Sequence, residues 1–209
     1  GAHALCAEGE AVIFQIDCTS LADAVIGNAD KGISSIADLK GKKVAATSGT
    51  SAEIILNLAL KSAGLTSDDL EIVEMDANGM VSAMVSGNVD ACATWSPGTV
   101  TISEALGDKT VWLATNQDYI NEATFPSSFI TTQKYADEHH DILVRFSRAL
   151  QKAADYRNEH IEEVAEMVAK QCEVDASTML ACVGEGNWTI TSDFQKKALE
   201  DGTIQKYYE

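Results

Sequence analysis

Short apolar runs and amphipathic stretches take turns along the middle of this 209-residue chain, and that alternation restricts the fold more than any other feature. The run "AVIFQID" (11–17) is brief, β-branched and aromatic, which predicts a buried strand. "SSIADLKGKKVAA" (34–46) predicts a short helix stopped by Gly41, then a strand over Val44–Ala46; Ser35 and Asp38 have capping-box spacing. Next, Ala52, Ile55, Leu56, Ala59, Leu60 and Ala63 recur at steps of three and four, one stripe of a helix that Gly64 ends. Further strands are predicted over 70–75, 89–95, 110–115 and 127–132, with a short helix over 79–87. Beyond residue 134 helices take over: 141–158, with Ile142, Phe146, Ala149, Leu150 and Ala153 inward, then 161–172, 176–184 and a fourth along the tail from 192. Alternating strands and helices imply an α/β fold, a mostly parallel sheet with flanking helices. In such sheets ligands sit beyond the carboxyl ends of the strands.

Two turns lie at such ends: Ser48-Gly49-Thr50-Ser51 after the strand at Val44–Ala46, and Trp95-Ser96-Pro97. The first offers three hydroxyls, and Gly49 lets the backbone approach a ligand closely. The first turn of the following helix leaves N–H groups unpaired and carries partial positive charge. Together these features suit an anion. A second reading stands beside it. Thr50 and Glu53 also have capping-box spacing, so side chains alone could satisfy the same N–H groups.

Composition narrows the classes of partner. The net charge is −17, from 15 Lys and Arg against 32 Asp and Glu, and no basic stripe exists for nucleic acid. A small anion is still compatible, because surface charge is screened over about 8 Å at physiological salt. No run of about 18 apolar residues is present, so no membrane span is expected. The five cysteines, Cys6, Cys18, Cys92, Cys172 and Cys182, form no CxxC and read as small core residues. The turn at 48–51 lacks the lysine of a phosphate-binding loop. Gly184-Glu185-Gly186 follows a helix and lacks the third glycine of a dinucleotide fingerprint. Ser48 has Ala46 where a hydrolase elbow needs glycine. "DEHHD" (137–141) sits at a polar helix entry and reads as a solvated turn. No metal and no cofactor is expected.

The order of segments adds a resemblance. "GISSIADLKGKKVAATSGTSAEIILNLALKSAGLTSDDLEIVEM" is followed by "VDACATWSPG", by "FPSSFITT", and by helices carrying Ala149, Tyr156, Asn158 and Glu163. This series resembles ABC-transporter solute-binding proteins of the nitrate/sulfonate/taurine and thiamine-pyrimidine-precursor-like family. The resemblance implies a type II periplasmic-binding-protein-like, two-lobed fold, with the ligand held in a cleft between lobes. It implies lobe one ending within 1–25, a complete lobe two at 26–128, and a helical part of lobe one at 129–209, leaving the first lobe incomplete. It places Ser48, Gly49, Thr50 and Ser51 at the ligand's anionic group and Trp95 at the cleft edge, where a core aromatic is the other reading. It places Asp17 and Thr19 on a crossing strand, where a carboxylate can pair a ligand amine; a capping aspartate is the other reading. It places Ser127 and Ser128 on the returning crossover, against a plain polar hinge.

The implied function is the extracytoplasmic substrate-binding component of an ABC importer. It would capture a small anion or sulfonate-like solute and close by hinge motion. The implied ligands are a sulfonate, taurine, nitrate or a pyrimidine; the implied partner is an ABC permease; and the implied location is periplasmic or a surface-anchored lipoprotein. Alternatives on the same fold are a pyrimidine-precursor synthase-like enzyme and the effector domain of a regulator. Magnitudes limit the turn's share. Charge-assisted hydrogen bonds contribute roughly 1.5–3 kcal/mol each, and micromolar binding needs about 8 kcal/mol after immobilisation costs. The turn alone can be only one wall of a site.

Overall fold

A computed structural model describes residues 2–185 and 191–203, without the side chains of residues 2–4 and 17–19. In chain order the elements begin with α1 (Ala2–Ala7), β1 (Val12–Thr19), β2 (Asp23–Asn28), β3 (Lys43–Ala46), α2 (Ser51–Ser62), β4 (Glu71–Glu74) and α3 (Ala77–Ser86). They continue with β5 (Ala91–Trp95), α4 (Gly98–Leu106), β6 (Thr110–Thr115), β7 (Pro126–Thr131), α5 (Gln133–Glu138) and α6 (His140–Glu159). The series ends with α7 (Ile161–Cys172), α8 (Ala176–Ala181) and α9 (Ser192–Glu200). The chain divides into two compact units. One comprises 1–20, 124–176 and 183–209; the other comprises 21–123 and 177–182.

The second unit is built on a five-stranded sheet in the order β4-β3-β5-β2-β6. Strand β3 runs parallel to both β4 and β5. Strand β2 runs antiparallel to its neighbours β5 and β6, so the sheet is mixed. Sequence reading placed no strand at 23–28. Its six residues are all buried, and the polar ends Asp23 and Asn28 hide the short apolar run between them. Helix α4 was also unforeseen: "GTVTISEAL" opens on glycine and carries two threonines and a valine, weak helix formers.

Strand residues alternate between two faces. Ala24, Ile26, Ala45 and Cys92 pack with Met80, Ala83 and Met84 of α3 and Ile102 of α4. The opposite face receives α2, whose Ala52, Ile55, Leu56, Ala59 and Leu60 are buried as the stripe predicts. Ala63, expected to extend that stripe, instead caps the helix C-terminus and is exposed. Gly27 is required by close approach: a Cβ there would stand 2.5 Å from Ile33 Cγ2 and 3.1 Å from Leu113 Cδ1.

The first unit contains a two-stranded antiparallel ribbon, β1 with β7, against which α6 packs, and α6 in turn meets α7 and α9. Phe14, Phe129 and Phe146 form an aromatic cluster with centroids 6.0–6.3 Å apart. Gln15 donates to Gln195 at 2.6 Å beside a 340 Å³ cavity walled by Ile16, Leu150, Val164 and Val168. Here the expected inward face of α6 is corrected. Ile142 and Phe146 are 39% and 48% exposed, and the buried position on the helix is Ala154. The narrow ribbon leaves most of that face uncovered.

The predicted tail helix is present over Ser192–Glu200, and residues 204–208 of that prediction lie outside the described residues. The cysteine expectation divides. Cys92 and Cys182 are buried, Cys6 is half-buried and Cys172 is exposed; the Cys18 side chain lies outside the described part. Burial pushes the Cys92 thiol up to about 12, which makes it a poor nucleophile. "DEHHD" spans the junction of α5 and α6, as a polar turn should. Among the described residues no group of His, Cys, Asp and Glu is arranged to hold a metal. No helix among them is long and apolar enough to cross a membrane.

Candidate functional site

The carboxyl ends of β3, β4, β5 and β6 fall at one end of the second unit's sheet, and reversed β2 begins there. Ser48–Ser51, Trp95 and Asn116 therefore gather near Asp23, the first residue of β2. Asp23 pairs in register with Trp95.

The turn is closed by side chains from three elements. Thr50 is the N-cap of α2, with extended backbone, and its Oγ1 accepts from the Glu53 N–H at 3.3 Å. The same hydroxyl donates to the Thr47 carbonyl at 2.7 Å. Gly49 takes a left-handed conformation (φ +76°), as a glycine here permits. Its N–H donates to Glu53 Oε2 at 2.7 Å. Ser48 donates twice to Glu74, from N–H at 2.8 Å and from Oγ at 2.9 Å. Thr47 Oγ1 donates to the Met75 carbonyl. Both readings of the turn concern the N–H groups in the first turn of α2; Thr50 holds that of Glu53, while the Glu53 carboxylate accepts from Gly49 instead of from the Thr50 N–H that a capping box would use.

Ser51 Oγ donates to Asp23 Oδ1 at 2.7 Å. The Asp23 carboxylate, 2% exposed, also accepts from Asn116 Nδ2 at 2.9 Å, while its N–H donates to Asn116 Oδ1 at 2.7 Å. A buried carboxylate costs several kcal/mol unless it is hydrogen-bonded, roughly, and these bonds supply that compensation. Among the described residues none of Asp23, Glu53 and Glu74 has an ion-pair partner. Asp23, Glu74 and Asn116 were missed by sequence reasoning. Glu74 and Asn116 reach the turn only through sheet order; a charge heading the run Ala24-Val25-Ile26 was the one available signal for Asp23.

Trp95 is half-buried and packs against the α3/α4 side of the core. After it, Ser96 bonds the Thr99 hydroxyl, and α4 starts with no side-chain cap.

The remaining predicted residues lie on the β1/β7 ribbon of the first unit. Ile16 pairs with Ser128 and Thr19 with Pro126, so Asp17 and Cys18 together oppose Ser127. That two-against-one count is a β-bulge, a device that re-aims side chains. Ser127 is exposed and Ser128 half-buried. The side chains of Asp17 and Thr19 lie outside the described part. The structure thus collects Ser48, Gly49, Thr50, Ser51 and Trp95 in one unit, and Asp17, Thr19, Ser127 and Ser128 in the other.

This α/β fold is that of periplasmic solute-binding proteins. The alkanesulfonate-binding protein SsuA from Xanthomonas axonopodis pv. citri, solved bound to MOPS, superposes over 100% of this chain and 73% of its own, with a TM-score of 0.73 at 17% identity. The desulfurization enzyme DSZB shares the fold over 91% of this chain and 67% of its own, with a TM-score of 0.61 at 17% identity. The NMT1/THI5-like family matches residues 18–164, and the chain belongs to that family. A Brucella abortus protein named "Putative binding protein" is 35% identical over 98% of this chain. A Bacillus subtilis protein named "Putative aliphatic sulfonates-binding protein" is 29% identical over 88% of it. The chain spans 63% of the Brucella protein's length and 55% of the Bacillus protein's.

Proposed function

We propose that this protein is the extracytoplasmic solute-binding component of an ABC importer and captures a small organic solute of the sulfonate kind. The observation that carries the reading is the kinship to a sulfonate-binding relative over 88% of the chain, joined to the polar turn and Trp95 at the carboxyl end of the second unit's sheet. In this reading Ser48, Gly49, Thr50 and Ser51 meet the solute's polar group. Trp95 supplies an apolar edge, and Asp23 and Asn116 hold Ser51 in place. On the first unit, the bulge at Asp17, Thr19, Ser127 and Ser128 is proposed as a solute-contacting surface in its own right. The protein works outside the cytoplasm, free or lipid-anchored, beside a membrane permease. Binding, rather than catalysis, is the proposed activity: the turn is furnished with hydroxyls and hydrogen-bonded carboxylates, with no thiol, imidazole or amine among them to act as a nucleophile.

Thermal-shift and calorimetric titration with taurine, alkanesulfonates, nitrate and pyrimidines tests the reading. A micromolar ligand from this panel is expected. Indifference to all of them would sink it.

A further inference from the structure

Thr94, on β5, is 0% exposed, and among the described residues its Oγ1 has no hydrogen-bond partner. Leaving a buried hydroxyl unpaired lowers stability. Valine has nearly the same shape, suits a strand at least as well and carries no such cost.

Thr94 lies two residues after Cys92, so it is on the face of the sheet that α3 and α4 cover. Its Oγ1 stands 3.6 Å from the place a Gly98 Cβ would take, which directs the hydroxyl at the first residue of α4. That nine-residue helix opens with no side-chain cap. The N–H groups of Gly98, Thr99 and Val100 have no partner among the described residues. Beside them the Ser96 and Thr99 hydroxyls share one hydrogen bond at 2.5 Å, which leaves one of their two protons to give. The carboxylates of the neighbouring turn are committed elsewhere. Asp23 precedes Ala24, the residue opposite Thr94, and so belongs to the other face, where Ser51 bonds it. Glu53 and Glu74 accept from Gly49 and Ser48.

We infer that the start of α4 is an oxyanion seat, with hydrogen bonds given by its first N–H groups, by the Ser96–Thr99 pair and by Thr94 beneath the turn. Donors without acceptors at the positive end of a helix suit a group that brings only acceptors. The inference rests on the proposed reading of the solute as a sulfonate. It gives that solute a second wall, on the strand next to β3.

Thr94→Val tests this, with ethanesulfonate and inorganic sulfate as probes in calorimetric titration of the 209-residue chain. The variant should raise the thermal midpoint, because an unpaired hydroxyl leaves the interior. It should also weaken both probes about tenfold, the loss of one hydrogen bond to a charged group. Thr94→Ser keeps the hydroxyl and should keep the affinity. A raised midpoint with unchanged affinity would overturn the inference and leave the solute-binding reading standing. A lowered midpoint would overturn it as well, by showing that the hydroxyl is already bonded without a ligand. Ser96→Ala, at the half-buried rim, gives an independent reading: weaker probe binding supports the seat, and unchanged binding overturns it. Sulfate held through Thr94 while no organic solute binds would uphold the seat and remove the proposed function. An unsubstituted chain that binds neither probe would overturn the inference, whatever else it binds.

Discussion

The two units of this chain bury their apolar residues very differently. The second holds all of the largest fully buried side chains among the described residues, including Ile26, Ile33, Leu39, Leu56, Met84 and Ile102. In the first, the buried apolar residues among those described are Ala11, Ala154, Ala165, Ala169 and Ala198. Its larger apolar side chains stay partly in water, Phe146 at 48%, Met167 at 53% and Leu199 at 68% exposed. Burial contributes in proportion to area removed from water. The second unit is therefore held by its own interior. The first, a two-stranded ribbon with helices, draws little from its own, since a lone ribbon is marginal without further covering.

That contrast can be broken by substitution, and the largest expected effect comes from the second unit. Leu56→Ala, on the buried stripe of α2, should cost about 2–5 kcal/mol in denaturant unfolding. A loss under about 1 kcal/mol would mean the sheet is not the seat of stability. Gly27→Ala should come next, at about 1–3 kcal/mol, because its methyl would collide with Ile33. Tolerance of alanine there would show that β2 can shift. In the first unit Phe146→Ala should cost only about 1 kcal/mol, since half of the ring is already wet. A loss as large as that of Leu56→Ala would erase the distinction between the units.

The smallest effect concerns pH. The Asp38 carboxyl, held by the Ser34 backbone N–H first and then by the hydroxyls and N–H of Ser34 and Ser35, sits at about 2 instead of 3.8. A depressed folded value means its stabilisation is complete above the unfolded value and is lost as pH falls through the folded one. Asp38→Asn should flatten the stability profile between about pH 4 and pH 2, read by melting at several pH values, and should lower stability at pH 7, where the carboxylate's contribution is complete. An unchanged acid limb would show that the turn at Ser34–Asp38 is not formed in solution.

Much of this was legible in the chain. The α2 stripe, strand β6 and helix α7 stand where periodicity puts them, because each is a local pattern long enough to declare its period. Strand β2 was illegible because burial on both faces removes alternation, and its ends are polar: Asn28 caps the turn that follows through the Asp30 N–H, while Asp23 finds its partner Asn116 only in the folded sheet. For the turn at Ser48–Ser51, the sequence supplied position and capping residues, with Thr50 and Glu53 three apart. It could not supply Glu74, 26 residues away, or Asp23, 28 away, whose carboxylates accept from the hydroxyls of Ser48 and Ser51.

Strand β2 also has a consequence in time. It is the first strand of its sheet to be synthesised and among the last able to pair, since Asp23 meets Trp95 and Ala24 meets Thr115. The pairing of β3 with β4 and β5 needs only shorter loops to close, so it is favoured to form earlier. Until β2 arrives, β5 shows an unpaired edge, and an open edge recruits strands from other chains. Asp23 and the carboxylates around it would then be the last part of the sheet to assemble, which makes the candidate site itself the finishing step in the folding of the second unit.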